Sequence, residues 1–281
     1  MAFDGFVLSN VVSELNHTIL NGRIYKIYQP ENDELVFIIK NNKENYRLFL
    51  SANASLPFVY LSNSQKSNPQ SAPNFCMLLR KHIGNGRIIS IQQPQMERIV
   101  IFTIEHLNEM GDICQKKIIL ELMGKHSNII FTDHEDMIID SIKRVSSLMS
   151  SIREVLPGRE YAIPSTQGDK LNPLTITEAT FMESVMTKPV SISKAIYTSL
   201  TGISPVIASE ICHRASIDGD MPVDSLDENG KKHLYNNFCW LMDDVKNNHY
   251  TPNIIFNGQE PVDFSCFTLS QFADYTSAKK E

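Results

Sequence analysis

Glu97-Arg98, just past a Gln-Pro corner, and the run ELMGKHSN (121–128) hold residue types that bind phosphate or sugar. An arginine guanidinium can clamp phosphate oxygens with paired N–H donors or stack on a base. A carboxylate beside it can orient the fork or accept from a ribose hydroxyl. In the second run, which starts at Glu121, Gly124 permits close backbone approach, while Lys125, Ser127 and Asn128 supply donors. Arg80, Lys81 and Arg87 are further candidate phosphate contacts, and Asp4 could pair with an arginine from another motif. Each has a plainer reading. A charged pair at a turn is worth little in water, Ser127 and Asn128 can cap their own backbone, Arg80 and Lys81 can form the wet face of a helix, and Asp4 can cap a helix start.

Enzyme chemistry finds little footing. The sequence has no H-E-x-x-H, no P-loop and no G-x-S-x-G. His17, His82, His106, His126, His134, His213, His233 and His249 lack metal-ligand spacing. Cys76, Cys114, Cys212, Cys239 and Cys266 are odd in number, far apart and never C-x-x-C, a pattern of reduced thiols in a cytoplasm. No apolar run of about 18 residues could span a membrane, and MAFDGFVLSN lacks the basic and apolar regions of a signal peptide. The expectation is a cytoplasmic, non-catalytic protein with no metal or cofactor. Its formal charge is −6, yet residues 51–100 carry Lys66, Arg80, Lys81, Arg87 and Arg98 against one acid, Glu97. Residues 201–250 hold eight acids and four bases. One basic district on an acidic chain can bind nucleic acid locally.

The elements that position these residues are written twice. NGRIYKIYQPENDELVFII from Asn21 recurs as NGRIISIQQPQMERIVIFT from Asn85, at an offset of 64 residues. FVLSNVVSELNHTIL and APNFCMLLRKHIG read as helices, with Ser9 or Asn10 and Asn74 as N-cap candidates and Pro73 at the second approach. Both helices end at N-G-R, where glycine can take the left-handed C′ conformation. Period-two strands follow, stopped by Pro30 and Pro94, and LVFIIK and IVIFTI return as hairpin partners. YRLFLSANASLPFVYLS loosely matches KIILELMGKHSNIIFTD, and MIIDSIKRV adds a strand. At a constant offset, Asp33-Glu34 would occupy the corner equivalent to Glu97-Arg98, so the fold would not need arginine there.

Residues 1–170 thus read as an α+β domain with antiparallel sheets, made by duplication. PSTQGDKLNPLTIT (164–177) has linker composition. Residues 171–250 turn helical, and SLTGISPVIASEI has the layout of a helix-hairpin-helix, whose turn amides can face a phosphate although Pro205 removes one donor. Residues 251–281 read as a hairpin turning at Asn257-Gly258, followed by SAKKE, the start of something longer.

In this order and spacing, Phe3-Asp4-Gly5, FCMLLRKHI (75–83), Glu97-Arg98, ELMGKHSN, LPGREY (156–161) and the pair of helices at about 195–214 resemble the N-terminal module of the NFACT family. Two positions depart from the family pattern: Glu97 where aspartate is usual, and Lys125 where arginine is common, which keeps the charge but loses the bidentate fork. The resemblance implies a glycosylase-like duplicated domain followed by a helix-hairpin-helix domain, with a coiled coil and an RNA-binding module lying outside this sequence. It also implies a ribosome-associated quality-control factor that binds the large subunit still holding peptidyl-tRNA. Bacterial members hold alanyl-tRNA for mRNA-independent alanine tailing, so Glu97 and Arg98 would touch tRNA and the ribosome would make the peptide bond. Formamidopyrimidine-type glycosylases use an N-terminal proline amine, and here the second residue is Ala2. The alternative is an adhesin for fibronectin or fibrinogen, with a minor cell-surface pool.

Overall fold

The computed structural model describes residues 3–150, 153–164 and 170–279. Ala2, residues 165–169 of the linker and the last two residues of SAKKE lie outside them. The chain forms two compact units: residues 11–94 with 98–165, and residues 1–10 with 95–97 and 166–281. This departs from division at 170 and 250. Phe6 and Met96 share a buried cluster with Phe181, Phe238 and Phe267, so chain neighbours of the first domain and the terminal hairpin both pack with the helices.

Helix α1 (Gly5–Thr18) starts earlier than Ser9 or Asn10 would place it. Asp4 is the cap: its carboxylate accepts from the Phe6 and Val7 amides at 3.0 and 2.9 Å, satisfying two donors that a helix start leaves open. Asp4→Ala is expected to cost about 1 kcal/mol through that cap, with Asp4→Asn retaining most of it, read as a shift in urea midpoint. Helix α2 (Asn74–Ile83) likewise begins at, not after, Asn74; Pro73 precedes it without a side-chain cap.

The strands are β1 (Arg23–Glu31), β2 (Glu34–Asn41), β3 (Glu44–Ser51), β4 (Phe58–Leu61), β5 (Arg87–Gln92), β6 (Ile99–Leu107), β7 (Ile113–Glu121), β8 (Asn128–Asp133) and β9 (Ile138–Ser141). They form one antiparallel sheet ordered β4-β3-β2-β1-β5-β6-β7-β8-β9. Two repeats therefore meet at β1 and β5, and the bonds there are reciprocal. Asn21 N–H donates to the Ile88 carbonyl and Asn85 N–H to that of Ile24, both at 2.8 Å; Ile24 and Ile88 donate to Gly86 and Gly22 at 2.9 Å. The helices cross over in the same way. Asn16 on α1 reaches the Ile91 carbonyl of the second repeat at 3.1 Å, and Arg80 on α2 reaches the Ile27 carbonyl of the first at 2.8 Å. Beneath them, Ile24, Phe37, Ile39, Leu48 and Leu50 share one sheet face with Ile88, Phe102, Ile104 and Ile118. Burying that shared face is what a single repeat could not do alone.

Two expectations about the repeat change. The left-handed residues at N-G-R are Asn21 (φ 67°) and Asn85 (φ 64°), not the glycines. Gly22 and Gly86 are needed for space: a Cβ at either would lie 2.6 Å from a methyl of Ile39 or Ile104. The offset also changes. Ile24 pairs with Ile39 and Ile88 with Ile104, so the return strands align at 65. A constant offset would have turned each return strand over, because one residue reverses every side chain. In the first repeat β1 runs on through Pro30 to Glu31; in the second β5 ends at Gln92 and the corner is a 3₁₀ turn, Pro94–Met96, with Gln95 and Met96 at positive φ. By the ladder Arg98 answers Asp33, and Glu97 answers Asn32.

The other unit contains α3 (Glu178–Ser184), α4 (Ile192–Ser199), α5 (Pro205–Arg214) and α6 (Glu228–Lys246), then β10 (Asn253–Asn257), β11 (Glu260–Ser265) and β12 (Thr276–Lys279) in the order β11-β10-β12. Thr276–Lys279, which includes the first residues of SAKKE, is a strand paired with β10. The turn between α4 and α5 is enclosed. Gly202 (φ 77°) accepts the Gly5 amide at 3.0 Å, and a Cβ on Gly202 would collide with the Met96 carbonyl. Thr201, Ile203 and Ser204 are buried, with Ser204 capping α5. Most of this turn is thus buried, which runs against the expectation that it approaches a phosphate.

Candidate nucleic-acid interface

The residues gathered by the sheet sit at one end of β6, β7 and β8. Arg98 leads into β6, and its carbonyl accepts the Leu122 amide at 2.8 Å. Ile99 pairs with Glu121, the last residue of β7. A 3₁₀ turn, Gly124–His126, then delivers the chain to β8, with Gly124 at φ +56° where a side chain would be strained. Lys125 and His126 project from this turn into solvent, and Arg98 is half-buried beside it.

The turn is rigid because its other side chains are spent internally. Ser127 Oγ accepts the Met123 amide at 2.9 Å. Asn128 donates to the Lys143 carbonyl at 2.8 Å and accepts from the Ile129 and Lys143 amides. Glu121 is fully buried, receiving the Tyr161 hydroxyl at 2.9 Å and an ion pair from Arg153. Burial raises the Glu121 carboxyl above its usual range, against the opposing pull of Arg153 and Tyr161, and burial likewise raises the Tyr161 hydroxyl. Glu121, Ser127 and Asn128 are thus frame residues, not direct RNA contacts: no surface of theirs remains for a ligand. Buried polar groups need partners, and these have them inside.

The remaining candidates lie elsewhere. Arg87 pairs with Glu105 at 2.7 Å, at the far end of β6 from Arg98, roughly 20 Å away by strand rise. Lys81 makes an exposed 3.3 Å pair with Glu109. Arg80 does the structural work of its repeat equivalent Asn16, and its guanidinium carbon lies 5.7 Å from the centre of the Tyr28 ring. Asp4 is a cap and Glu97 a half-buried corner residue of the helical unit.

Sequence reading missed Lys143, Arg153 and His126. Lys143 Nζ ties the Ala52 carbonyl to that of Ser127, the latter at 3.2 Å, and so joins the two repeats' equivalent loops. Its neighbour Arg144 is held outward by Asp140 at 2.9 Å. The signal available was the Lys143-Arg144 dipeptide at a strand end, with nothing local to say which carbonyls lay across it.

A nine-stranded duplicated sheet with crossed helices, carrying an exposed turn at Lys125, defines a two-repeat α+β scaffold. The chain belongs to the NFACT family: the model of the NFACT N-terminal and middle domains matches residues 4–281. It is 39% identical over 262 residues to the Rqc2 homolog RqcH of Bacillus subtilis (strain 168), covering 92% of this chain and 44% of that protein. It is 29% identical over 269 residues to the archaeal Rqc2 homolog aRqcH of Methanocaldococcus jannaschii, covering 93% and 38%. The chain thus spans less than half the length of these relatives. Among solved structures it resembles the fibrinogen binding protein of Staphylococcus aureus (TM-score 0.83, 30% identity, 100% and 96% of the two chains). It also resembles the N-terminal part of the fibronectin/fibrinogen-binding protein of Streptococcus suis (TM-score 0.79, 32% identity, 96% and 91%). Among the described residues no helix is long and apolar enough to cross a membrane.

Proposed function

We propose that this chain is the tRNA- and large-subunit-binding part of a ribosome quality-control factor, positioning alanyl-tRNA for mRNA-independent alanine tailing of stalled chains. Its relatives named Rqc2 homologs support the ribosomal role. The observation that carries an RNA contact is the braced turn that leaves Lys125 and His126 in solvent beside Arg98. A turn held from within presents Lys125 on backbone that is already ordered, which suits phosphate contact. On this reading α4 and α5 are the family's helix-hairpin-helix and serve packing. The protein binds and orients, needs no cofactor, works on the cytoplasmic ribosome, and leaves peptide-bond chemistry to it.

The test is binding of tRNA and of isolated large subunits across a salt series, wild type against Glu97→Ala/Arg98→Ala and against Lys125→Ala. The expected result is affinity lower by about tenfold, with a log–log salt slope shallower by about 0.7–0.9 per lost phosphate contact. Undiminished binding by both folded variants would remove this end of the sheet from the RNA surface. The names of the similar solved structures favour a second reading, fibronectin or fibrinogen binding, which would require a small pool at the cell surface. Immobilised fibronectin and fibrinogen with protease shaving of intact cells test it; saturable capture together with a shaved fraction would support it.

A further inference from the structure

The duplication offers an internal comparison of the sheet face that lies away from the helices. In the second repeat this face is covered: Ile99, Ile119, Ile130 and Ile138 pack with Val155 and Tyr161, and Ile101 joins them. In the first repeat the floor of the equivalent face is also buried, with Phe49 stacked against Tyr60 at 5.8 Å, but polar and charged side chains rim it. By the ladders Val36 answers Ile101 and Phe49 answers Ile119, yet both line a groove of about 410 Å³ over β1, β2 and β3, walled by residues 64–68.

What replaces the apolar cover is charge and aromatic surface. A bulge between Ile24 and Lys26 turns two successive side chains outward, Tyr25 and Lys26, where the second repeat has Ile89 and Ser90. Tyr25 is 49% exposed, with the Lys40 and Lys26 ammoniums 3.6 and 5.3 Å from its ring centre. Arg47 and Lys66 complete four cations, and no carboxylate is among the residues lining the groove. Lys66 is held by Glu34 at 2.7 Å and Arg47 reaches the Ser64 carbonyl at 3.3 Å. Where Lys40 and Arg47 stand, the second repeat has Glu105 and Lys117, each neutralised by a partner, Arg87 and Asp136. A second hollow shares Tyr25, Lys26 and Tyr28 and extends the cationic surface to Arg80.

We infer that this groove binds a short unpaired segment of RNA, its phosphates on Lys26, Lys40 and Arg47 and its bases or riboses against Tyr25 and Tyr28. Cations interleaved with rings are what a single strand needs, since every base has a face to stack and every nucleotide a charge to neutralise. Asn45, Gln65 and Asn68 add amides that can meet sugar or base edges. An acidic peptide would share the charge, but its backbone would find no partners: β2 is laddered on both sides, to β1 and to β3. The choice of RNA rests on the ribosomal reading above.

The experiment is fluorescence anisotropy with a labelled, unstructured uridine 12-mer on the 281-residue chain. Lys40→Glu/Arg47→Glu is compared with Lys232→Glu/Lys246→Glu, the same charge change on α6. The groove variant is expected to bind about tenfold or more weakly than this control, with a salt slope shallower by about 1.4. Tyr25→Ala, charge-neutral, is expected to lose about tenfold through stacking. Circular dichroism melting confirms that each variant folds. Equal affinity of groove and control variants overturns the assignment, as does polyglutamate displacing the 12-mer as well as unlabelled RNA does. Large-subunit binding by the same wild-type preparation separates the two claims. Loss of the ribosomal interaction with groove-dependent 12-mer binding retained supports the groove and removes the ribosomal role; subunit binding without any 12-mer binding overturns the groove.

Discussion

Arg153→Met is expected to lower the unfolding free energy of the sheet unit by about 3–5 kcal/mol at neutral pH, because it leaves the Glu121 carboxylate buried without its cation. Glu121 has no solvent contact, and its remaining partner is the Tyr161 hydroxyl at 2.9 Å. Burial already raises this carboxyl from its ordinary 4.5, and Arg153 opposes the rise; without the arginine it moves higher still. The sign follows from linkage. A folded-state value above the unfolded one gives a contribution fully present below about pH 4.5 and lost as pH rises through the folded value. The Arg153→Met deficit should therefore be small near pH 4.5 and widest at pH 7–8, as read by urea unfolding at both. Glu121→Gln/Arg153→Met should flatten this dependence. A deficit of equal size at both pH values would mean that Arg153 acts by packing on the Tyr161 ring, 5.8 Å away, and not as a counter-charge.

This buried pair matters to the cationic turn. Glu121 faces Ile99 across the ladder, and the next residue, Leu122, donates to the Arg98 carbonyl. Loosening the end of β7 would free the backbone that places Arg98 and starts the turn to Lys125. A ligand bound at that turn would be expected to weaken in Arg153→Met even though Arg153 itself is spent on Glu121.

Much of the scaffold could be read from the chain because the signals were local: helix periodicity, alternation in the strands, and a repeated N-G-R. What failed to read was geometry between distant segments. The one-residue slip between repeats is invisible in a gapless alignment, since Leu35 and Val36 look as well matched to Ile99 and Val100 as to their true equivalents Val100 and Ile101. Asn21 and Gly22 both tolerate a left-handed turn, and only the methyl of Ile39 overhead shows that the glycine is there for space. For the site, Lys125 was legible as an exposed cation beside Gly124. Glu121, Ser127 and Asn128 had the chemistry of ligands, but they satisfy Arg153, Met123 and Lys143, partners that no short motif contains. The groove escaped notice because Tyr25, Lys40 and Arg47 come from three strands and converge only after the bulge sets their side.

Glu210→Ala is expected to cost the helical unit about 3–5 kcal/mol, for a reason as hidden from sequence as Arg153. Glu210 lies on α5 and is fully buried. Its carboxylate accepts from the Arg214 guanidinium at 2.7 Å, the Ser270 hydroxyl at 2.7 Å, and the Ser270 and Gln271 amides at 2.9 and 3.1 Å. Four donors around one carboxylate repay its desolvation, and removing it strands two main-chain amides and a guanidinium together. Arg214 also holds the Thr268 carbonyl at 2.9 Å, so the cluster fastens the segment between β11 and β12 to α5. Glu210→Gln keeps the shape and two lone pairs but loses the charge, and should cost less than alanine. Hydrogen exchange gives the direct reading: in Glu210→Ala the amides of 266–279 should lose protection before those of α6. If they exchange as in wild type while stability falls, the carboxylate would be serving α5 alone.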